Sequence, residues 1–329
     1  MDFGLWNNRL WGSIDFYWTR TKDLLYAKSV PATSVFPSVL SNIGKTRGHG
    51  VEIQIGGSPI RKKNFNWDAT FTLSMARDKI TELSEGVTQN IAADRTGQIV
   101  GQPVHIFYYY QNDGVWGVTK NLDGTYTNEV DGYREAWLAR HPDKTAADYQ
   151  ITGTPGTMRV IDANDDGVID ENDRRVFKRD PDAILGLSNM LTYKNWSLSV
   201  LLFARIGGYI SYGWNTNVHY DDNANWSNVD YWTFDHQNAK YPNPGASSAP
   251  QLASLAYEKA SYVKIKDITL GYTFDKKLVS RWGMSNLKLY ASLKNFFTFS
   301  SIDNYDPEQG GSFNFPLAKQ LVFGLNVEF

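Results

Sequence analysis

The residues best spaced for chemistry lie in Asp162-Ala-Asn-Asp-Asp-Gly-Val-Ile-Asp-Glu-Asn-Asp173. Asp162, Asn164 and Asp166 stand at positions 1, 3 and 5 of this stretch, Gly167 stands at position 6, and the carbonyl of Val168 falls at position 7. That is the spacing of an EF-hand loop, in which a glycine-dependent turn lets oxygen donors converge on calcium. Asp170 falls at position 9, where a donor often acts through water, and Asp173 at position 12, where Glu is usual. The shorter Asp side chain puts two-oxygen chelation in doubt. The expected metal set is Asp162, Asn164, Asp166, Val168, Asp170 and Asp173, with calcium as a structural cofactor. The competing reading is an Asx-rich turn that needs no metal.

Aromatic side chains form the second group. The regions between predicted strands carry Tyr108, Tyr109, Tyr110, Trp116, Trp137, Trp214, Trp226 and Trp232. Such rings stack on sugars, and Trp116, Trp214 and Trp232 are the ligand-binding candidates. An aromatic in a loop is more often local packing or part of a docking surface for a partner. The five histidines, His49, His105, His141, His219 and His236, form no zincin-like pair, and no nucleophile elbow or Walker loop occurs. Cysteine is absent, which removes thiolate chemistry and disulfides together. No catalytic residue is assigned, and an enzyme is not expected.

These candidates hang on strands. The cleanest alternation sets Phe65, Trp67, Ala69, Phe71, Leu73 and Met75 against Asn66, Asp68, Thr70, Thr72 and Ser74. A period of two sends one set to each face of a sheet, and about ten such residues suit a tilted membrane strand. Further strands are expected at 2–6, 10–19, about 48–55, 185–191, 196–206, 261–274, 287–293 and 321–329. In 261–274 the apolar parity flips between Ile265 and Ile268, which predicts a β-bulge near Lys266 or Asp267. A short helix is expected near Tyr133 to Arg140. Asp15, Asp68 and Arg205 fall on the polar parity of their strands and are expected to face a lumen.

The last strand ends on Leu321, Phe323, Leu325, Val327 and Phe329, with no polar tail. In water such an edge would aggregate; against lipid it closes a barrel. Gly324, Val327 and Phe329 are similar to the C-terminal signal read by barrel-assembly machinery, although Val322 replaces its usual polar residue. Counted back from the C-terminus, the connections alternate long and short, with a very long insertion at about 83–183 and a basic turn at Arg61-Lys62-Lys63-Asn64. A barrel with short periplasmic turns and long outside loops has this order, and a sandwich has no reason for it.

Composition agrees. The chain holds 19 Tyr, 17 Phe and 11 Trp, which suits interfacial girdles. A mean hydropathy of −0.42 and the lack of a run of about 20 apolar residues exclude a helical membrane protein but not a barrel. The net charge of −2 gives no pointer to nucleic acid. Met1 to Leu5 already reads as strand, so the chain is expected to be a piece of a longer exported protein.

Three stretches then resemble a known family. Ser261-Tyr-Val-Lys-Ile-Lys-Asp-Ile-Thr-Leu-Gly-Tyr272, Leu287-Lys-Leu-Tyr-Ala-Ser-Leu-Lys-Asn-Phe296 with Tyr305-Asp-Pro-Glu308, and Asp162 to Asp173 are similar to SusC/RagA-type TonB-linked outer-membrane transporters. The resemblance covers essentially residues 1–329, matched to the C-terminal part of the barrel. It implies an all-β, transmembrane antiparallel barrel of which this chain supplies about nine strands with long extracellular loops. It also implies an outer-membrane location in a Gram-negative, Bacteroidetes-like cell, and contact with membrane lipid. The implied function is import of glycan or peptide fragments with a SusD-like surface lipoprotein. Nothing here corresponds to the plug, so TonB is expected to engage a part outside this chain. Two other readings stay open: a soluble calcium-stabilised carbohydrate-binding β-sandwich, and an adhesin or autotransporter barrel without TonB.

Overall fold

The computed structural model describes residues 1–29, 38–83, 86–92, 95–212, 229–245, 250–302, 305–310 and 317–329. Nine strands build one wall: β1 Asp2–Leu5, β2 Leu10–Ser29, β3 Ser38–Lys62, β4 Phe65–Glu82, β5 Ala183–Tyr193, β6 Trp196–Ile206, β7 Tyr262–Thr273, β8 Asn286–Ser300 and β9 Gln320–Glu328. They pair antiparallel in chain order, each with its sequence neighbour, and β1 and β9 lie at the two margins of an open sheet.

The register explains the alternation. Phe323 lies opposite Ala291, then Leu270, Leu198, Leu191, Trp67 and Ile60 follow across consecutive strands. The next row runs Leu293, Ile268, Val200, Asn189, Ala69, Gly57, Leu10 and Leu5. Residues directly opposite share a face, so these rows form one continuous apolar surface. No second sheet covers it among the described residues: Phe323 is 75% exposed and Phe16 63%. The polar exception, Asn189, accepts a 3.2 Å hydrogen bond from the Trp67 indole.

Aromatics ring both ends of this surface. Phe65, Tyr193, Trp196 and Tyr272 line up at the short-turn end, with the Trp196 and Tyr272 rings 4.8 Å apart. Phe16, Trp18, Phe297 and Phe299 stand on the same face at the other end. Amphipathic rings favour the two membrane interfaces.

The opposite face carries Asp15, Asp68 and Arg205, as their parity requires. There the rings of Trp11, Tyr17 and Tyr290 lie on Gly56, Gly50 and Gly324, and a Cβ at any of these glycines would collide with the ring. Gly324 therefore has a packing role on the inner face.

One sequence reading holds and one changes. The bulge is at Lys266, where pairing slips between Ile265 and Asp267 on both sides of β7, as its parity predicted. The connection expected after residue 19 is instead strand: β2 and β3 stay paired from Thr21↔Thr46 to Ser29↔Ser38, with slips around Leu24. Above the apolar band nothing selects greasy residues on one face, so a paired strand loses its alternation and reads as loop. Pro31 and Pro37, expected in the connection between these two strands, fall outside the described residues.

The two long insertions fold on each other. Strands Ile106–Tyr110 and Arg174–Lys178 pair in a four-stranded sheet with Thr96–Ile99 and Gln89–Ile91. The helix Glu129–Arg140, here α1, starts earlier than expected because Asn128 caps it, accepting from the Val130 N–H. One core joins Val115 and Met158 of the first insertion to Trp232, Tyr241, Leu252 and Leu255 of the second. Another packs Phe107, Tyr109 and Phe177 against Ala256 and Tyr257.

Candidate functional site

The Asp162–Asp173 loop lies on α1. Gly167 adopts φ +84, and a Cβ there would press on Trp137. Trp137 is itself buried and donates from its indole to the Asp165 carbonyl at 3.1 Å. Asp162 accepts from the N–H groups of Gly167 (2.8 Å) and Asp166 (3.3 Å), and Asp166 accepts from Val168 N–H at 2.9 Å. Asp173 is fully buried and accepts from Ala163 N–H and Asp170 N–H, both at 2.7 Å. Asp170 caps the turn Glu171–Asp173.

Position 12 thus ties the two ends of the loop together. Burial pushes the Asp162 carboxyl up, with the neighbouring Asp173 charge adding to it against the pull of the Gly167 N–H. Among the described residues no three His, Cys, Asp or Glu side chains are gathered closely enough to hold a metal. The donor set fits calcium in type and order, since each carboxylate oxygen bonded to one N–H keeps a second lone pair. The N–H bonds hold it in an Asx-turn arrangement.

The expected sugar-stacking rings are elsewhere. Trp116 is 4% exposed, edge-on to Tyr133 at 5.3 Å and beneath the Arg159 guanidinium. Trp232 is 1% exposed inside the core that joins the insertions. Neither presents a face to a ligand, so packing replaces stacking at both positions. Trp214 lies outside the described residues. Exposed rings of the insertions include Tyr126 and Phe234, 5.6 Å apart, with Leu122 exposed in the turn before Tyr126.

A charged clasp completes the long-connection end. Lys264, with no exposed surface, reaches Asp306 at 2.5 Å and Glu308 at 3.1 Å, and Lys266 also pairs with Glu308. The stretches Ser261–Tyr272 and Tyr305–Glu308 therefore grip each other. The signal was readable as Lys-x-Lys facing Asp-x-Glu, but nothing in the sequence measured their distance. Burial raises the Glu308 carboxyl, but the two lysines outweigh it and hold the group below its ordinary value.

No family model matches the chain. It is 26% identical, over its full length, to the TonB-dependent receptor P3 of Formosa agariphila, covering 33% of that protein. It is 27% identical to the TonB-dependent receptor SusC of Bacteroides thetaiotaomicron, again over 100% of this chain and 31% of the relative. The chain thus spans about a third of the length of the curated relatives it matches. Among solved structures, the RagAB peptide transporter superposes with TM-score 0.69 at 22% identity, covering 100% of this chain and 34% of that one. The RagAB peptide importer in its closed-closed state gives 0.70 at 22%, with the same coverage. From end to end, the chain has the fold of the corresponding third of a TonB-dependent barrel, and it resembles the SusC/RagA-type receptors.

Proposed function

We propose that this chain forms part of the wall and extracellular body of an outer-membrane TonB-dependent transporter that imports glycan or peptide fragments. The observation that carries the reading is the apolar face, broken only by Asn189 in the two rows traced, in register across the sheet and uncovered. A soluble sandwich would bury such a face against a second sheet. The polar inner face suits a water-filled path, and the residues assign no catalytic role. The exposed Leu122, Tyr126 and Phe234 of the insertions would dock a SusD-like lipoprotein. TonB would act through the rest of the protein, and Phe329 with Val327 would serve barrel assembly.

The topology is tested in the full-length protein. A cysteine at Gly114 should react with an impermeant maleimide on intact cells, and one at Lys62 should react only after the outer membrane is opened. The opposite pattern would sink the barrel reading.

Calcium belongs to the same proposal. A cation within reach of Asp162, Asn164, Asp166 and the Val168 carbonyl would offset the partly buried Asp162 carboxylate beside the buried Asp173. Calcium is expected to slow proteolysis between residues 140 and 175, and Asp162→Ala with Asp166→Ala to abolish the protection. Identical digestion in calcium and in chelator would leave a metal-free Asx turn.

A further inference from the structure

We infer that the outward face of β2–β4 binds the phosphate head groups of anionic lipids in the leaflet on the long-connection side, a reading that rests on the membrane orientation proposed above. On these strands the apolar parity does not end in solvent-facing polar residues of mixed charge. Past the row Phe16, Val51, Met75 come Trp18, His49, Arg77, and then Arg20, Arg47, Lys79, each set in direct register.

Arg77 is already paired, reaching Asp182 at 2.9 Å, and Lys45 reaches Glu82 at 2.6 Å. Arg20, Arg47 and Lys79 are exposed, and among the described residues none of them makes an ion pair. Like charges directly opposite on neighbouring strands destabilise a sheet, so this row of three favours an anion lying across it. The inserted body is not that partner. It joins β4 on the other parity, where Ile80 is buried and exchanges backbone hydrogen bonds with Gly101 and Gln102.

The height is right for a head group. From Phe65, in the aromatic ring at the short-turn end, to Lys79 is 14 residues of β4, about 46 Å along the strand, which a tilt of 35–45° turns into roughly 33–38 Å of membrane, past an apolar band of about 25 Å and into the head-group region. Trp18, one row below, is 79% exposed and sits at the level where interfacial rings lie. On β7 and β8 the outward face at this end carries Val263 and Phe299 and no cation at those positions. A lipid phosphate offers oxygens to both guanidinium groups and to the ammonium, while its chains cover the apolar rows below.

The test uses the full-length protein in non-ionic detergent, titrated with fluorescent phosphatidic acid and, separately, fluorescent phosphatidylcholine. Wild type is expected to prefer phosphatidic acid about ten-fold or more, since each nearby cation is worth roughly five-fold. Arg20→Gln with Arg47→Gln and Lys79→Gln should lose that preference. Arg61→Gln with Lys62→Gln, at the opposite end, should keep it. Equal affinity of wild type for the two lipids, an unchanged preference in the triple variant, or equal loss in the Arg61/Lys62 variant would each overturn the inference. Displacement by millimolar inorganic phosphate beyond that caused by equal ionic strength would mean a site for free phosphate, and would overturn it too. An environment-sensitive dye on a cysteine at Leu270 separates the two levels. A watery signal there in vesicles defeats the membrane reading itself, whereas an apolar signal beside an unselective protein defeats only the lipid site.

Discussion

Replacing Lys264 by methionine in the full-length protein should release residues 305–310 from the wall. The ammonium is fully buried between Asp306 and Glu308, and methionine keeps its bulk while removing its charge. Two carboxylates would then share Lys266 alone. Breaking a buried pair by deleting one partner costs about 3–5 kcal/mol, because the remaining charge stays desolvated. Hydrogen exchange in 305–310 should therefore quicken by roughly a hundred- to a few-thousand-fold, with the strands of the wall much less affected. Replacing both sides, Lys264→Met with Asp306→Asn and Glu308→Gln, should restore part of the loss. The pH dependence has a definite sign. The folded Glu308 carboxyl lies below its unfolded value, so its contribution is complete above the ordinary carboxylate range. That contribution fades as pH falls through the lower, folded value. Protection that is unchanged in Lys264→Met, or that grows as the medium is acidified, would show that the clasp does not hold this connection.

How far these features could be read from the sequence depends on what selects the residues. In the membrane band each outward position must be apolar, and the parity of Phe65 to Met75 reports it directly. The slip at Lys266 was legible for the same reason, because one extra residue inverts a strict pattern. Above the band that selection stops. The paired stretch from Thr21 to Ser29 is as much a strand as the rest of β2, yet it follows the outward Arg20 and its pattern breaks near Leu24. The rings were harder still. A tryptophan stacked on a sugar and one sealed in a core look identical in one dimension. Trp232 is in the core because the two insertions meet, a contact between residues as far apart as Val115 and Trp232, and Trp116 is covered by Tyr133, Gly153 and Arg159 of its own insertion. The Asp162–Asp173 spacing, by contrast, specified a compact turn about Gly167, and that turn is present. Spacing alone could not say how Asp173 spends its oxygens; its bonds to Ala163 and Asp170 come from the burial of that end of the loop under the inserted body.

Val200→Arg and Ser199→Arg should separate two adjacent positions by most of the stability that a barrel strand contributes. Val200 lies in the outward row between Ile268 and Asn189, and Ser199 on the inner face between Thr269 and Met190. The Val200 row stands two pairs of residues above the aromatic ring of Trp196 and Tyr272, about 13 Å along the strand, and so near the middle of the apolar band. An arginine facing lipid at that depth costs about 2–4 kcal/mol. At Ser199 the guanidinium would meet Thr269 and the water of the inner face, where charged side chains such as Asp68 already stand. The expected result is a lower midpoint of unfolding in denaturant for Val200→Arg in vesicles, and a reduced fraction of heat-modifiable barrel, with Ser199→Arg near wild type in both. A third variant, Val200→Leu, should match wild type, which ties the loss to charge and not to a change of side chain. Equal tolerance of arginine at the two positions would mean that the apolar face does not meet hydrocarbon. The register rows from Phe323 to Ile60 would then need another partner of equal extent. A two-fold loss at Ser199 with none at Val200 would invert the wall, placing the polar rows outward. No arrangement of the described strands offers lipid a surface of that polarity, because inner-face rows such as Thr70 with Ser188, and Asp68, Met190, Ser199 with Thr269, would put hydroxyls and a carboxylate into hydrocarbon.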